Sequence, residues 1–119
     1  GNKDTAMWQM CDGDINNVRG HTAYDGMRAG DEVATAVVRD YEKYLSYGIV
    51  NVINIFQPEV LCIGGGISKE GDTLLKPIQK AAEKHNFAKN VERQTQIKIA
   101  KLGNDAGIIG AAYIHKLYR

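Results

Sequence analysis

The stretch that decides the fold is Val60-Leu61-Cys62-Ile63-Gly64-Gly65-Gly66. Four apolar residues, two of them β-branched, follow Pro58 and lead directly into three glycines. This pattern predicts a buried strand that ends in a loop without side chains, where a ligand can touch the backbone. In parallel α/β sheets ligands bind just beyond the carboxyl ends of strands, and a helix that begins soon afterwards directs free N–H groups at a phosphate. A triple glycine alone is more often a flexible turn, so its role depends on the surrounding sequence.

Length and composition indicate one globular domain or a part of one. The 119 residues can bury a core but cannot hold two ordinary lobes. Hydrophobic residues make up 44% of the chain and charged residues 24%, which is typical of a folded protein. A net charge of +1 gives no electrostatic reason to expect a nucleic acid or an anionic membrane as partner.

The sequence also predicts the compartment. The longest stretch without Asp, Glu, Lys or Arg is residues 44–58, which is shorter than the ~20 apolar residues of a spanning helix. No secretory signal opens the chain, and Gly1 in place of an initiator Met is compatible with a fragment or a tag remnant. Cys11 precedes a polar loop and Cys62 lies in the predicted strand, so we expect reduced thiols, with Cys62 in the core. These features predict a soluble, cytoplasmic protein.

Periodic apolar residues and capping side chains predict five helices. They are residues 4–11 capped by Asp4, a short helix capped by Thr22 and broken at Gly30, residues 31–56, a helix from Asp72 or Thr73 to His85, and a last helix that starts after Asn104 or Asp105 and finishes the chain. Residues 49–56 of the long helix are apolar nearly all round, which predicts burial on several sides. Asn51 and Asn54 are then expected to be hydrogen-bonded inside, since an unpaired buried amide costs about 1–3 kcal/mol.

A second strand is predicted at residues 96–102, where apolar and polar residues alternate. Two strands joined through a helix form a right-handed parallel pair, so the predicted fold class is α/β, helix-rich, with two parallel strands. Such a pair cannot be a whole sheet, and the helices leave apolar surface that needs partners. We therefore expect an incomplete domain that associates into a homo-oligomer.

No metal site is predicted. The loop at residues 12–17 has the alternating acids and amides of a calcium loop, but Asn17 and Ala23 occupy the positions where an EF-hand needs Gly and Glu. We interpret this loop as a turn. The spacing of zinc ligands is lacking among the cysteines and histidines, which are Cys11, His21, Cys62, His85 and His115. The three histidines are interpreted as surface or helix-end residues.

Small residues mark the last helix. Gly107 and Gly110, with Ala111 beside them, lie on one side of it, which is typical of close helix packing and compatible with a hinge between two lobes. Gly103, just before this helix, is expected to have a positive φ.

Four segments of the chain resemble the carboxyl-terminal part of the ROK family of sugar kinases. They are residues 30–31 (Gly-Asp), 44–60, 64–68 (Gly-Gly-Gly-Ile-Ser) and 100–112, which contains Leu-Gly-Asn-Asp-Ala-Gly. The segments occur in the order and with the spacing of the family. The resemblance is strongest to bacterial members that phosphorylate glucose, and the two glycine motifs together are far more specific than either alone.

The resemblance implies an actin-like ATPase (ribonuclease H-like) fold, in which two lobes close over a sugar and ATP. Residues 1–119 would form the carboxyl-terminal portion of the larger, nucleotide-binding lobe. Gly64-Gly65-Gly66 matches the family's adenosine motif, whose backbone lies against the nucleotide, and Ile67 and Ser68 would line the edge of that pocket. The implied reaction transfers the γ-phosphoryl group of ATP to the 6-hydroxyl of glucose, with Mg²⁺ held through the nucleotide and the rest of the protein.

The catalytic motifs of the family have no match in this sequence. They are the Asp-x-Gly-x-Thr phosphate loop, the aspartate of Asn-Asp-x-Asn, the sugar-contacting Glu and His residues, and the His- and Cys-rich zinc motif. No catalytic residue is therefore assigned, and Asp105 is interpreted as a helix-initiating residue rather than a base. The 119-residue chain is expected to be inactive alone.

Two alternatives stay open. ROK-family repressors share this lobe and add an amino-terminal winged helix, so the chain could be the carboxyl-terminal lobe of a sugar-responsive transcriptional repressor. The complete motif at residues 102–107 and the intact glycine triplet favour the kinase. The chain could also be an association module without a nucleotide role, acting through exposed apolar faces.

Overall fold

The computed structural model describes residues 4–88 and 90–116. Within them lie five α-helices and two strands: α1 Ala6–Met10, α2 Thr22–Arg28, α3 Glu32–Phe56, β1 Val60–Ile63, α4 Asp72–His85, β2 Gln96–Ile99 and α5 Ala106–Tyr113. Short 3-10 helices occupy Ile15–Asn17, Gly66–Glu70, Gly103–Asp105 and Ile114–Lys116. The predicted end of the last helix at residues 117–119 lies outside the described residues. None of the helices in the described part combines the length and apolar character that a membrane crossing requires.

The two strands form a parallel pair joined through α4, as predicted. Val60 lies opposite Gln96 and Ile63 lies opposite Ile99. The Ala100 N–H donates to the Ile63 carbonyl at 2.8 Å and extends the ladder by one bond. The predicted extent of the second strand was wrong beyond this point, because the Gly103 N–H donates to the Ala100 carbonyl and turns the chain into a 3-10 helix.

The long helix α3 matches the predicted range. Asp31 precedes it in an extended conformation and accepts a hydrogen bond from the Ala34 N–H at 2.7 Å, which satisfies one of the free donors of the first turn. The helix ends where Gln57 adopts a left-handed conformation, with its N–H donating to the Ile53 carbonyl. Pro58 follows and cannot continue the helix.

The hydrophobic core lies between α3, α4, α2 and the sheet. Its buried members are Tyr24, Val38, Ile49, Val50, Ile53, Ile63, Leu74, Ile78, Ala82 and Ile97. Their periodic spacing in α3 and α4 places one apolar stripe of each helix against the other elements.

The prediction that the second half of α3 is buried on several sides was wrong for the described residues. Ile53 is buried, whereas Ile55 and Phe56 are 72% and 73% exposed. Asn51 is also exposed, and Asn54 is half-buried, with its Oδ1 accepting from the Phe87 N–H at 2.9 Å. The described residues pack on one side of this half-helix, so its other apolar side chains face outward.

Cys62 is exposed rather than in the core. Successive side chains of a strand point to opposite faces, and in β1 the face that carries Ile63 is the one that is buried. Cys11 is the buried cysteine, with its Sγ donating to the Trp8 carbonyl.

Several predicted caps were also wrong. The amino end of α1 is capped by Thr5 instead of Asp4. Thr22 lies inside α2 and its Oγ1 accepts from the Arg19 N–H, which folds the preceding turn rather than the helix. Helix α4 starts at Asp72 directly after Gly71, without a capping side chain.

The start of α5 also departs from the prediction. Asp105 makes no side-chain cap there, because the preceding 3-10 helix leads straight into α5. The Asn104 side chain lies outside the described part.

Candidate functional site

The candidate site lies at the edge of the sheet where β1 and β2 both end. Because the strands are parallel, the segments that follow them are neighbours in space. A Cβ built on Gly64 would lie 3.7 Å from the Ala100 Cβ and 3.9 Å from the Gly103 carbonyl oxygen. The two glycine motifs of the sequence therefore meet at one place.

Gly65 fixes the course of this glycine loop. Its φ of 79° and ψ of −173° belong to a region that is essentially restricted to glycine. A Cβ built on Gly65 or on Gly66 would meet no heavy atom of the described residues within 4 Å. The outer side of this backbone is thus open to a ligand.

Ser68 stabilises the loop from inside. It is buried, its Oγ donates to the Gly65 carbonyl at 2.6 Å, and its N–H donates to the same oxygen at 3.2 Å. The Oγ also lies 3.8 Å from the position of a Cβ on Gly103, whose φ of 52° is positive as predicted. Ser68 therefore holds the first glycine segment by hydrogen bonds and lies beside the second.

A cavity of about 1310 Å³ adjoins the loop. It lies between α1, α2, the first half of α3 and the 3-10 helix Gly66–Glu70. Gly66 and Ile67 are part of its lining, whereas Gly64, Gly65 and Ser68 form the loop beside it. Its volume exceeds the roughly 300–1,000 Å³ of common small-molecule sites, so its size does not exclude a nucleotide-sized ligand.

The cavity has an apolar wall and a charged rim. Trp8, Val37 and Tyr41 contribute to the wall together with Ile67, which also packs on the core. The rim carries ionisable side chains from α2, from the residue that precedes it and from the 3-10 helix: His21, Asp25, Arg28, Lys69 and Glu70. Sequence reasoning missed this cavity, because its walls come from separate segments that share no motif.

Ion pairs join four of the rim residues, His21, Asp25, Arg28 and Glu70. Arg28 Nη1 lies 2.6 Å from Glu70 Oε2, and Arg28 Nη2 lies 2.6 Å from Asp25 Oδ1. His21 Nδ1 lies 2.7 Å from Asp25 Oδ2. Hydrogen bonds from Arg28 and then from His21 lower the pKa of Asp25, and the bonds to Glu70 and Asp25 raise the pKa of Arg28.

The last helix shows no close packing in the described part of the chain. No heavy atom there, apart from the backbone of α5 itself, lies within 4 Å of a Cβ built on Gly107 or Gly110. Ile108, between them, is 73% exposed. The hinge stays a prediction. Residues 4–88 and 90–116 also hold no group of three or more His, Cys, Asp or Glu side chains placed to bind a metal ion.

Comparison with a solved structure identifies the class of protein. The crystal structure of a ROK family glucokinase from Streptomyces griseus, in complex with glucose and AMPPNP, superposes with a TM-score of 0.77 and 29% sequence identity. The match covers 91% of this chain and 35% of that one. The predicted fold class, part of an actin-like ATPase (ribonuclease H-like) domain, is confirmed.

The family follows from the sequence profile of the ROK family, which matches residues 4–117. This chain belongs to the ROK family, as the resemblance predicted. Relatives include a glucokinase of Halalkalibacterium halodurans, 44% identical over 88 residues, which are 74% of this chain and 26% of the relative. A glucokinase of Streptomyces coelicolor is 32% identical, with 85% of this chain and 32% of the relative covered. A beta-glucoside kinase of Klebsiella pneumoniae is 31% identical, with 88% and 33% covered. The chain thus spans about a quarter to a third of the length of these relatives.

Proposed function

We propose that this chain is the carboxyl-terminal portion of the larger, nucleotide-binding lobe of an ATP-dependent sugar kinase. The whole protein would transfer the γ-phosphoryl group of ATP to the 6-hydroxyl of glucose. Membership of the ROK family and the similarity to three curated glucokinases and a beta-glucoside kinase support the reaction class. The observation that carries the proposal is the open backbone of Gly65 and Gly66 at the shared ends of β1 and β2.

In the proposed site the main chain of Gly64-Gly65-Gly66 lies against the adenosine of ATP. A side chain at Gly65 would both strain the backbone and fill the open space outside it. The adjoining cavity offers an apolar wall for the base, and Ile67 forms part of that wall at the edge of the pocket. Ser68 fixes the loop through the Gly65 carbonyl.

Mg²⁺ would enter with the nucleotide and neutralise charge on the phosphate groups during transfer. The described residues provide no cluster of metal ligands, so we assign it no ligand in this chain. The catalytic base and the sugar-binding residues would come from other parts of the full-length protein, and the 119-residue chain would be inactive alone.

We further infer a cytoplasmic homo-oligomer. The exposed apolar side chains on α3 and α5, among them Ile55, Phe56 and Ile108, support contacts with the rest of the polypeptide and with a second copy.

The test uses the product of the complete reading frame. We expect it to form ADP and glucose 6-phosphate from Mg-ATP and glucose. Gly65→Val should raise the KM for ATP by at least about tenfold, because its side chain would occupy the place of the nucleotide. Gly48→Val is the matched control, since a Cβ on Gly48 meets no described heavy atom within 4 Å apart from the backbone of α3 itself, and its φ is not positive. A folded protein without sugar-dependent ATP turnover would refute the proposal.

A β-glucoside is the second candidate substrate, because beta-glucoside kinases of Klebsiella pneumoniae and two Listeria species are also relatives. Competition decides between the two sugars. With both sugars in the same reaction, a higher kcat/KM for glucose supports glucose as the substrate. A higher kcat/KM for the β-glucoside would show that the β-glucoside is the substrate instead.

A further inference from the structure

A charged bridge joins α2 to the segment that follows the glycine triplet. Arg28 is the last residue of α2, and Glu70 is the last residue of the 3-10 helix Gly66–Glu70. The guanidinium Nη1 donates to Glu70 Oε2 at 2.6 Å across a sequence separation of 42 residues. The bridge therefore directly connects α2 and the 3-10 helix, two elements that line the cavity.

The two partners differ in their exposure to water. The Glu70 side chain is 7% exposed, whereas that of Arg28 is 51% exposed. An ionised carboxylate that is withdrawn from water needs a charged, hydrogen-bonding partner. Arg28 is that partner, so its loss would leave a buried charge without compensation.

Arg28 is itself held in place from its own helix. Asp25 accepts from Nη2 at 2.6 Å, and His21 lies 2.7 Å from the other Asp25 oxygen. Because Asp25 fixes one nitrogen of the planar Arg28 guanidinium, the other terminal nitrogen is already oriented toward Glu70. Asp25 lies on α2 and His21 directly precedes this helix, so the position of α2 determines where Arg28 meets Glu70.

The segment between Gly65 and Gly71 needs such an anchor. Both glycines have positive φ angles, 79° and 56°, and glycine restricts the backbone less than any other residue. Ser68 ties the beginning of the segment to Gly65, and Glu70 ties its end to α2. Side-chain hydrogen bonds thus hold this segment at both of its ends.

We propose that Arg28 and Glu70 are positioning residues that hold the glycine loop and α2 at the separation that a bound nucleotide requires. They would act through the main chain of Gly64-Gly65-Gly66 and not on the reacting atoms. This inference rests on the proposed nucleotide site.

Steady-state kinetics of the full-length protein test the inference. Arg28→Ala should raise the KM for ATP by at least about tenfold, since small displacements of a binding group are costly. The KM for glucose should stay within about twofold, because the bridge is at the loop that is assigned to the nucleotide. Arg28→Ala/Glu70→Ala should be less impaired than Arg28→Ala alone, because the double variant leaves no buried charge.

Lys76→Ala is the control for removing a cation. Its Nζ lies 3.2 Å from Asp72 on α4, with both side chains about three-quarters exposed, so neither KM should change. A folded Arg28→Ala protein with a KM for ATP within about twofold of the unsubstituted value would overturn the inference, as would equal increases in both KM values.

Two further outcomes are also decisive. If Arg28→Ala does not fold, the double variant takes its place, and an unchanged KM for ATP in that variant overturns the inference. If the unsubstituted protein folds but shows no sugar-dependent ATP turnover, the proposed function fails and the inference fails with it.

Discussion

Asp31 is the residue that organises the amino-terminal third of the chain. Its Oδ1 accepts from the Ala34 N–H at the start of α3, and its Oδ2 accepts from the Thr5 hydroxyl and the Ala6 N–H at the start of α1. One carboxylate thus serves the amino ends of two helices. The sequence predicted that a helix begins at Asp31 but did not predict the contact with α1, because that contact spans 25 residues.

Removal of this carboxylate should destabilise the fold. We expect Asp31→Ala to lower Tm by roughly 4–8 °C, since a lost helix cap in a small domain has an effect of that size. Asp72→Ala is the control, because that side chain is 74% exposed and caps no helix. Thermal unfolding followed by circular dichroism measures both, and equal Tm values for the two variants would contradict the assignment.

Asp31 also predicts a pH dependence. Hydrogen bonds from Ala34, Ala6 and Thr5 lower its pKa below the ordinary value of 3.8. A depressed pKa in the folded state contributes stability that is present above pH 3.8 and is lost as the pH falls through the folded-state pKa. Urea unfolding between about pH 6 and pH 2 should show this loss, and Asp31→Asn should show less of it. If the unsubstituted protein and Asp31→Asn lost the same stability in acid, the Asp31 carboxylate would not be the source of the pH dependence.

At the scale of elements, α3 carries the core on one face. Ile53 is 2% exposed and Ile55, two residues further, is 72% exposed. Ile53→Ala should lower the free energy of unfolding by about 2–5 kcal/mol, because it removes buried methyl groups and leaves a cavity. Ile55→Ala should change it by less than about 0.5 kcal/mol in the 119-residue chain. Chemical denaturation measures both values, and a similar loss in the two variants would show that the buried face is wrongly assigned.

The elements also show what a sequence pattern can predict. Helix α3 and the parallel strand pair were predicted, because the local patterns of apolar residues at 31–56, 60–63 and 96–99 define them. The exposure of Cys62 was not predicted, since an apolar run in the sequence does not reveal which faces of a strand are covered. The Arg28–Glu70 bridge has no sequence signal at all, because it depends on how distant segments pack.

For the whole molecule, the exposed apolar surface predicts self-association of the isolated chain. Phe56 at the end of α3 and Ile108 on α5 are both 73% exposed. We expect sedimentation velocity to detect species larger than 13.1 kDa for the 119-residue chain. Phe56→Lys should shift the distribution toward the monomer, whereas Lys80→Ala on exposed α4 surface should not. A monomer at all concentrations would contradict the prediction.

We propose that the backbone at the end of β1 binds a nucleotide in the full-length protein. A crystal structure of the full-length protein with AMPPNP tests it most directly. We expect the adenosine to lie within van der Waals contact, about 4 Å, of the main chain of Gly64-Gly65-Gly66. A nucleotide that is bound elsewhere, without contact to this loop, would contradict it.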